Sequence, residues 1–193
     1  MDLPLPKSPF TAADYLVWEA DQLDRHEFFD GEVFAMAGAE DRHVTVSLNI
    51  GFGLREHLRG TPCRVFMSDI KLKPLHADRY FYPDLMVTCS PADRENRLIK
   101  SEPTLIVEVL SPSTAAYDRG AKFASYRQIP SLREYALVDI DTRLIEIYRL
   151  GDQGSSLGLW VLHPFDLSVA SATLTFASAQ LSLSAEQVFA DVE

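Results

Sequence analysis

The sequence predicts an α+β fold, or an α/β fold with a mixed sheet. Its predicted elements follow the order helix, strands, helix, strands. The run TLIVEVL at 104–110 is almost continuously apolar, which is typical of a strand covered on both faces. Asp30-Gly31 stands between two apolar-rich runs and predicts a hairpin, because a type I′ turn needs positive φ at both central residues. With no internal repeat or interior linker, we predict a single domain over residues 1–193.

Two helices are predicted in the first part of the chain. Thr11 is a candidate N-cap for the first helix. The second helix is predicted over 41–59, where four apolar residues recur at helical spacing: Val44, Leu48, Phe52 and Leu54. Gly51 and Gly53 are unfavourable inside this helix, so they weaken the prediction.

The rest of the chain alternates strands with short helices. YFYPDLMV at 80–87 predicts a strand that Pro83 interrupts, and a helix is predicted over 118–129 before Pro130. Ser184 and Gln187 form a capping box that predicts a short last helix. The remaining strand predictions are 63–67, 70–72, the hairpin REYALVDI and RLIEIYRL, and the segments GLWVLH, ATLTFA and QLSLS.

Composition and charge exclude several classes of protein. The net charge of −10 and the pI of about 4.9 argue against a broad surface that coats nucleic acid, but they allow a carboxylate cluster that holds a metal ion. Cys63 and Cys89 lack CxxC spacing, so we expect neither a cysteine zinc site nor a disulfide framework. No apolar run is long enough to cross a membrane, and no signal peptide is recognisable, which predicts a cytoplasmic protein.

Glu108 is the residue in TLIVEVL that needs an explanation. An isolated ionised carboxylate in a buried strand costs several kcal/mol or more, unless it is paired, protonated or bound to a metal. Asp84 lies on another predicted strand. Asp118, Lys122 and Tyr126 follow at i, i+4 and i+8, so they share one face of the predicted helix and can reach the region of Glu108.

These residue types suit phosphodiester hydrolysis with Mg²⁺ or Mn²⁺. Hard carboxylate oxygens match Mg²⁺, which takes one or two protein carboxylates and keeps several waters. A nearby lysine can orient the attacking water or stabilise the charge that develops on phosphorus. The residue types alone equally permit a structural interpretation, in which Glu108 and Lys122 form only an ion pair and an arginine holds Asp84.

A family resemblance favours the nuclease interpretation. The ordered set HEFFDGE, His43, YPDLMV, VEVLSPST, Asp118, Lys122, Tyr126 and REYALVD resembles a bacterial family of uncharacterised restriction-endonuclease-like proteins in the PD-(D/E)XK nuclease superfamily. The resemblance spans about residues 10–150. It implies a mixed central sheet flanked by helices, with extra hairpins at the N- and C-terminal ends.

The resemblance also implies site residues. Pro83-Asp84 matches the PD of the superfamily motif, and Glu108 matches its second acid. The motif lysine should stand two residues later, where this chain has Leu110, so Lys122 on the next helix is the candidate replacement. Asp84 and Glu108 are then metal ligands, and Glu27 in HEFF is a candidate third ligand.

His43 and Asp118 are supporting candidates with alternative explanations. His43 opens a predicted helix and could carry a proton, although such histidines are more often structural. Asp118 could hold Lys122 in place, or it could simply be an acid in the first turn of a helix.

Two functional hypotheses follow. The first is a metal-dependent endonuclease that acts on nucleic acid, DNA being the expected substrate, and that forms a homodimer. The second is a catalytically inactive binding or regulatory module on a nuclease-like fold, which the leucine at 110 and the acidic net charge favour.

Overall fold

A six-stranded mixed sheet forms the centre of the molecule in a computed structural model that describes residues 10–36, 38–75, 78–151 and 158–193. Its strand order is β11-β10-β9-β8-β6-β3, in which β8 and β9 are parallel and the other neighbours antiparallel. Helices pack against this sheet, so the predicted fold class is confirmed. The elements are α1 (Ala12–Ala20), β1 (His26–Phe29), β2 (Glu32–Ala35), α2 (Asp41–His57), β3 (Arg64–Met67), β4 (Lys71–Leu72), β5 (Arg79–Tyr80), β6 (Leu85–Thr88), α3 (Pro91–Glu95), β7 (Ile99–Lys100), β8 (Pro103–Val109), α4 (Ala115–Tyr117), a π-helical turn (Asp118–Lys122), α5 (Phe123–Tyr126), β9 (Glu134–Asp139), β10 (Leu144–Leu150), β11 (Trp160–Asp166), β12 (Thr173–Phe176), β13 (Leu181–Ser184) and α6 (Ala185–Val188).

The strand that contains TLIVEVL lies near the middle of the sheet. β8 pairs with β6 on one side and with β9 on the other, and its apolar residues are almost entirely buried. Leu105, Val107 and Val109 face one hydrophobic cluster, whereas Ile106 faces a second one on the opposite side. Because side chains alternate along a strand, Glu108 lies on the same side as Ile106.

The predicted N-terminal hairpin is confirmed. Phe29 of β1 pairs with Glu32 of β2, which leaves a two-residue loop. In that loop Asp30 has φ 49° and Gly31 has φ 98°, as a type I′ turn requires. A second hairpin, β12–β13, lies near the C-terminus, and the predicted capping boxes of Thr11 and Ser184 both form.

Of the four residues in the helical stripe predicted for α2, only Leu54 faces the core. Val44, Leu48 and Phe52 are at least half exposed, and the buried face instead contains Val46, Ile50 and Leu54 together with Gly51. The two interior glycines allow close packing, since a Cβ at Gly53 would lie 2.8 Å from Leu183 and one at Gly51 would lie 3.0 Å from Leu85. The stripe was wrong because both faces of this helix carry apolar residues at helical spacing.

The helix predicted over 118–129 differs from the observed one. Helical structure begins at Ala115, widens into the π-helical turn at 118–122 and ends at Tyr126. The turn retains the i, i+4 neighbourhood of Asp118 and Lys122, whose charged atoms lie 3.4 Å apart. π-helical turns occur frequently at functional sites.

Cys63 and Cys89 form a disulfide, so the expectation that these cysteines build no disulfide framework was wrong. The two residues are 26 positions apart in sequence, but they lie next to the strand pair Arg64↔Thr88 of β3 and β6. Antiparallel pairing therefore brings the two cysteines face to face, which spacing alone does not reveal. Among the described residues, no helix is long and apolar enough to cross a membrane.

Candidate active site

Glu108 is the buried centre of a cluster of charged side chains. Only 3% of the residue is exposed. Its Oε1 accepts a hydrogen bond from the hydroxyl of Tyr126 at 2.9 Å and lies 3.2 Å from Nζ of Lys122. Its Oε2 accepts from the backbone N–H of Asp84 at 3.2 Å. The acid in TLIVEVL therefore has partners from the neighbouring strand and from the helical segment above it.

Asp84 and Glu108 are held side by side by reciprocal backbone contacts. The Oδ2 atom of Asp84 accepts from the N–H of Val109 at 2.8 Å, while Asp84 donates its own N–H to Glu108. Pro83 ends the preceding extended segment, so that β5 belongs to one sheet and β6 to another. The PD pair thus places its carboxylate where β6 begins, next to the end of β8.

Lys122 supplies the cation that Leu110 does not. Its Nζ lies 3.0 Å from Oε1 of Glu27, 3.2 Å from Glu108 and 3.4 Å from Oδ1 of Asp118. Burial lowers the pKa of Lys122, but the three carboxylates outweigh burial and raise the pKa well above its ordinary value. The lysine therefore stays protonated.

Carboxylates outnumber cations in this cluster. Burial raises the pKa of Glu108 well above its ordinary value; Lys122 opposes this shift, and the neighbouring acids reinforce it. Burial likewise raises the pKa of Glu27 and of Asp118, again with opposition from Lys122. The Oδ1 atom of Asp118 is buried, has no hydrogen-bond partner among the described residues and lies 3.4 Å from Nζ of Lys122.

His43 contacts the same oxygen of Asp84 that accepts from the N–H of Val109. Its Nε2 lies 3.2 Å from Oδ2 of Asp84, and both side chains are slightly open to solvent, at 17% and 15% exposed. Burial lowers the pKa of His43, but the Asp84 carboxylate and the backbone of Val109 outweigh burial, so the pKa is raised. The first turn of α2 thus brings a histidine to the edge of the cluster.

All six predicted site residues come together. Asp84, Glu108 and Lys122 form the centre, and Glu27, Asp118 and His43 contact them. Glu27 also accepts from the N–H of Tyr82 at 3.3 Å. The geometry gives Glu27 a lysine partner, and its predicted role as a third metal ligand stays a prediction.

Sequence reasoning did not assign a contact to Tyr126. Its spacing placed it on one face with Asp118 and Lys122, but its hydrogen bond to Glu108 depends on how the helical segment lies over the sheet. Burial, followed by the charge of Glu108, raises the pKa of Tyr126 well above its ordinary value, so the hydroxyl remains a donor. Tyr135 supports the segment by donating to the carbonyl of Asp118 at 3.0 Å.

The cluster suits a divalent cation at Asp84 and Glu108. Two adjacent carboxylates are what Mg²⁺ usually takes from a protein, and the surplus of negative charge favours a cation. The buried Oδ1 of Asp118 forms an ion pair with Lys122 but no hydrogen bond, so it adds to the negative charge of the cluster. Within the described ranges, no group of three or more histidine, cysteine or acidic side chains is arranged so that it could hold a metal ion by itself.

Comparison with other proteins identifies relatives along nearly the whole chain. The model of the family Uma2, described as "Putative restriction endonuclease", matches residues 12–185. The uncharacterized protein slr1290 of Synechocystis sp. is 39% identical over 175 residues, which cover 89% of this chain and 92% of that protein. A second Synechocystis protein, sll1609, is 37% identical over 146 residues, which cover 74% of this chain and 82% of that protein.

A solved structure has the same fold. It is the crystal structure of "a putative nuclease belonging to DUF820" from Anabaena variabilis, with a TM-score of 0.76 and 17% sequence identity, covering 96% of this chain and 100% of the other. At that identity the similarity establishes the architecture alone. The family match and the two Synechocystis relatives establish kinship: the chain belongs to the Uma2 family.

Proposed function

We propose that this protein is an endonuclease that hydrolyses phosphodiester bonds of nucleic acid, with DNA as the first substrate to test and Mg²⁺ or Mn²⁺ as the cofactor. One observation carries the proposal: Nζ of Lys122 lies 3.2 Å from Glu108 although the strand has Leu110 at the usual lysine position. The helical segment thus restores the combination of two acids and one lysine. The description of the Uma2 family supports the same reaction class.

Each residue of the cluster has a role in this proposal. Asp84 and Glu108 would hold the divalent cation, which when bound polarises a phosphoryl oxygen and lowers the pKa of a water. Lys122 stays protonated among its three carboxylates and donates a hydrogen bond to the attacking water or to the charged phosphate oxygens. Glu27 and Asp118 hold the lysine in position, with Nζ distances of 3.0 and 3.4 Å.

His43 and Tyr126 position the two acids. The imidazole of His43 contacts the Oδ2 atom of Asp84, and the hydroxyl of Tyr126 donates to Oε1 of Glu108. His43 does not contact the Oδ1 atom of Asp84, and Tyr126 does not contact the Oε2 atom of Glu108. The acids therefore keep a fixed orientation, which matters because misplacement by about 1 Å can cost on the order of 100-fold in rate.

The test is cleavage of supercoiled plasmid and of single-stranded DNA with Mg²⁺ or Mn²⁺. We expect Glu108→Gln to lower the rate by on the order of 100-fold or more, because it weakens the cation site. Glu186→Gln is the matched control, since it makes the same chemical change at an exposed position of α6. Equal rates for wild type and Glu108→Gln would contradict the proposal.

A non-catalytic binding or regulatory module is the second candidate. Two observations favour it: Leu110 replaces the motif lysine, and the described residues contain no closed set of three metal-binding side chains. Calorimetric titration with Mn²⁺ separates the two functions. Absence of binding at millimolar concentrations in a folded protein supports the module, whereas binding that Glu108→Gln abolishes supports the nuclease.

The proposal includes a homodimer, which would present two sites to the two strands of a duplex. The outer strand of the central sheet in the C-terminal half, β11, offers a free edge for pairing, although Pro164 interrupts its donors. Light scattering on the purified protein measures the oligomeric state directly, and a monomer at micromolar concentration would contradict this part of the proposal.

A further inference from the structure

A cavity lies at the end of β6 remote from Asp84. It has a volume of about 410 Å³ and opens at the edge of the central sheet, where Arg64 of β3 pairs with Thr88 of β6. Its lining contains four cationic side chains: Arg64, Arg94, Arg97 and Lys100. We call it the basic cavity. Such a concentration of positive charge is unexpected in a chain with a net charge of −10.

Carboxylates do not neutralise these cations. In the part of the chain that the structure describes, none of the four forms an ion pair, although many other basic residues do. Arg94 donates to the carbonyl of Pro62 at 2.6 Å, and Lys100 donates to the carbonyl of Asp93 at 2.6 Å. Arg64 likewise donates only to backbone carbonyls. Carbonyl contacts orient the side chains but leave their net charge in place.

The one acid in the lining is already occupied. Asp93 is 5% exposed, and its carboxylate accepts from the hydroxyl of Thr88 at 2.6 Å and from the backbone N–H groups of Ser101 and Glu102 at 2.8 and 3.1 Å. Glu102, which is not a lining residue, accepts a hydrogen bond from Ser90, which is one. Neither carboxylate forms an ion pair with a cationic group of the cavity, and the four cations of the lining outnumber its one carboxylate, so the lining has a positive formal charge.

Lys100 is the buried cation in the lining of the cavity. Lys100 is only 3% exposed, and its Nζ lies 4.8 Å from the ring centre of Phe66. Nζ has two carbonyl acceptors, those of Asp93 and Asn96, which leaves one of its three N–H donors without an acceptor among the described residues. Arg94 and Arg97 are exposed, and Arg97 makes no described hydrogen bond, so both can turn toward a ligand.

We propose that the basic cavity binds a phosphate group, held by Arg94, Arg97 and Lys100. Guanidinium groups match phosphate oxygens in charge and in hydrogen-bond geometry, and the volume is large enough for a nucleotide. The phosphate belongs either to the backbone of a nucleic acid or to a free nucleotide. The first source rests on the proposed nuclease function.

The position of the cavity fits a backbone phosphate away from the cleaved bond. Asp84 and Thr88 stand at the two ends of β6, and at about 3.3 Å per residue they are roughly 13 Å apart. Phe66, beside Lys100, packs in the same cluster as Tyr126, the residue that contacts Glu108. The cavity and the acidic cluster therefore lie on the same side of the sheet, and one strand of nucleic acid can reach both.

The test uses the full chain and the double variant Arg94→Gln/Arg97→Gln. Its matched control is Arg55→Gln/Arg127→Gln, which removes the same charge from exposed arginines outside the cavity lining. The probes are a fluorescein-labelled single-stranded oligonucleotide and duplex, followed by anisotropy, and adenosine monophosphate and inorganic phosphate, followed by calorimetry. All measurements are made in EDTA at several salt concentrations, so that binding is separated from cleavage.

The expected result is about tenfold weaker oligonucleotide binding by the cavity variant than by wild type or control, because charged hydrogen bonds are lost. The dependence of log affinity on log salt should also fall by about one per lost phosphate contact. Weaker binding of adenosine monophosphate or phosphate, with unchanged oligonucleotide binding, identifies a free nucleotide as the source. Cavity and control variants that bind every probe equally would overturn the proposal.

Failure of this proposal and failure of the nuclease proposal have different signatures. If the protein cleaves DNA and Glu108→Gln abolishes cleavage, but the cavity variant binds like the control, only the basic cavity is refuted. If no nucleic acid is cleaved with Mg²⁺ or Mn²⁺, but the cavity variant still loses phosphate binding relative to the control, only the nuclease function is refuted.

Discussion

Two buried glutamates on neighbouring strands of the central sheet have opposite surroundings. Glu134 begins β9 and is 1% exposed. It accepts from Nε of Arg149 at 2.7 Å, from the N–H of Ala177 at 3.0 Å, and from the N–H and hydroxyl of Ser178 at 2.7 and 2.5 Å. Both oxygens of Glu108 on β8 also have donors, from Tyr126 and from the N–H of Asp84, but its one cation, Lys122, is shared with two other acids.

The difference separates a structural acid from a candidate functional acid. Glu134 ties β9 to β10 and to the chain before β13 by a set of donors that satisfies both carboxylate oxygens. The cluster around Glu108 contains more carboxylates than cations. Burial, together with the neighbouring acids, raises the pKa of Glu108. Such a surplus costs folding free energy, and it is typical of sites that bind a cation or move a proton.

Among the variants that compare the two glutamates, removal of the shared lysine should change the free energy of unfolding most. Lys122→Met leaves Glu27, Glu108 and Asp118 without a counter-ion, and we expect the free energy of unfolding to fall by about 4 kcal/mol at neutral pH. Urea denaturation in EDTA measures this change. A loss below about 1 kcal/mol would mean that the acids do not depend on the lysine.

The same variant should show a steeper pH dependence. Burial raises the pKa values of Glu108, Glu27 and Asp118 in the folded protein, so the folded state binds more protons than the unfolded state. The contribution of these three acids to the free energy of unfolding is therefore most favourable below pH about 4, near their pKa values in the unfolded chain. It decreases as the pH rises through their higher pKa values in the folded protein. Lys122→Met should therefore be closest to wild type at acid pH, and a constant difference between pH 4 and 8 would contradict this assignment.

Glu134→Gln should lower the free energy of unfolding by about 3 kcal/mol. The change removes the negative charge to which Arg149 and Ser178 donate, and it turns an amide N–H toward groups that are themselves donors. The control is Glu186→Gln on the exposed face of α6, for which we expect a change within about 0.5 kcal/mol. Urea denaturation compares the two variants. Equal stability would show that the donor set around Glu134 is dispensable.

Tyr126→Phe should have a smaller effect of about 1 kcal/mol, since one buried hydrogen bond to Glu108 is lost without a change of shape. Tyr148→Phe, whose hydroxyl makes no described hydrogen bond, is the control. The melting temperatures of Tyr126→Phe and Tyr148→Phe, measured by thermal unfolding, compare the two variants. Identical melting temperatures would indicate that water replaces the tyrosine hydroxyl at Glu108.

Glu108→Gln should have the smallest effect on stability, in contrast to the identical change at Glu134. It turns an amide donor toward donors, as at Glu134, but it also removes one acid from a cluster with a surplus of acids. We expect the relief of repulsion to offset the lost contact, so the unfolding free energy in EDTA should stay within about 0.5 kcal/mol of wild type or rise. A loss of several kcal/mol would make Glu108 a structural ion-pair partner of Lys122. Side-by-side denaturation of both glutamine variants is the sharpest form of the comparison.

Local signals in the sequence predicted much of the fold. Asp30-Gly31, the caps at Thr11 and Ser184, and the apolar run around Glu108 depend on residues within a few positions of one another, and each formed as expected. Motif order also selected all six residues of the cluster. Such features are readable because turn geometry, capping and strand burial are decided by neighbouring residues.

Contacts between residues far apart in the sequence decided the features that local signals did not predict. The face of α2 that packs depends on Gly51 and Gly53 meeting side chains of β6 and β13, and the disulfide depends on the register of β3 with β6. The basic cavity likewise joins β3 to the segment around α3.

The sequence by itself determined which local elements form and that a buried acid on β8 needs a partner. The sequence also offered Lys122 as the candidate partner. Only the tertiary structure decided that this lysine is shared with Glu27 and Asp118, and that Glu134 is satisfied by other groups. The physical reason is that a carboxylate's energy depends on every charge and donor within a few ångströms. Those groups come from segments far apart in the chain, which only folding brings together.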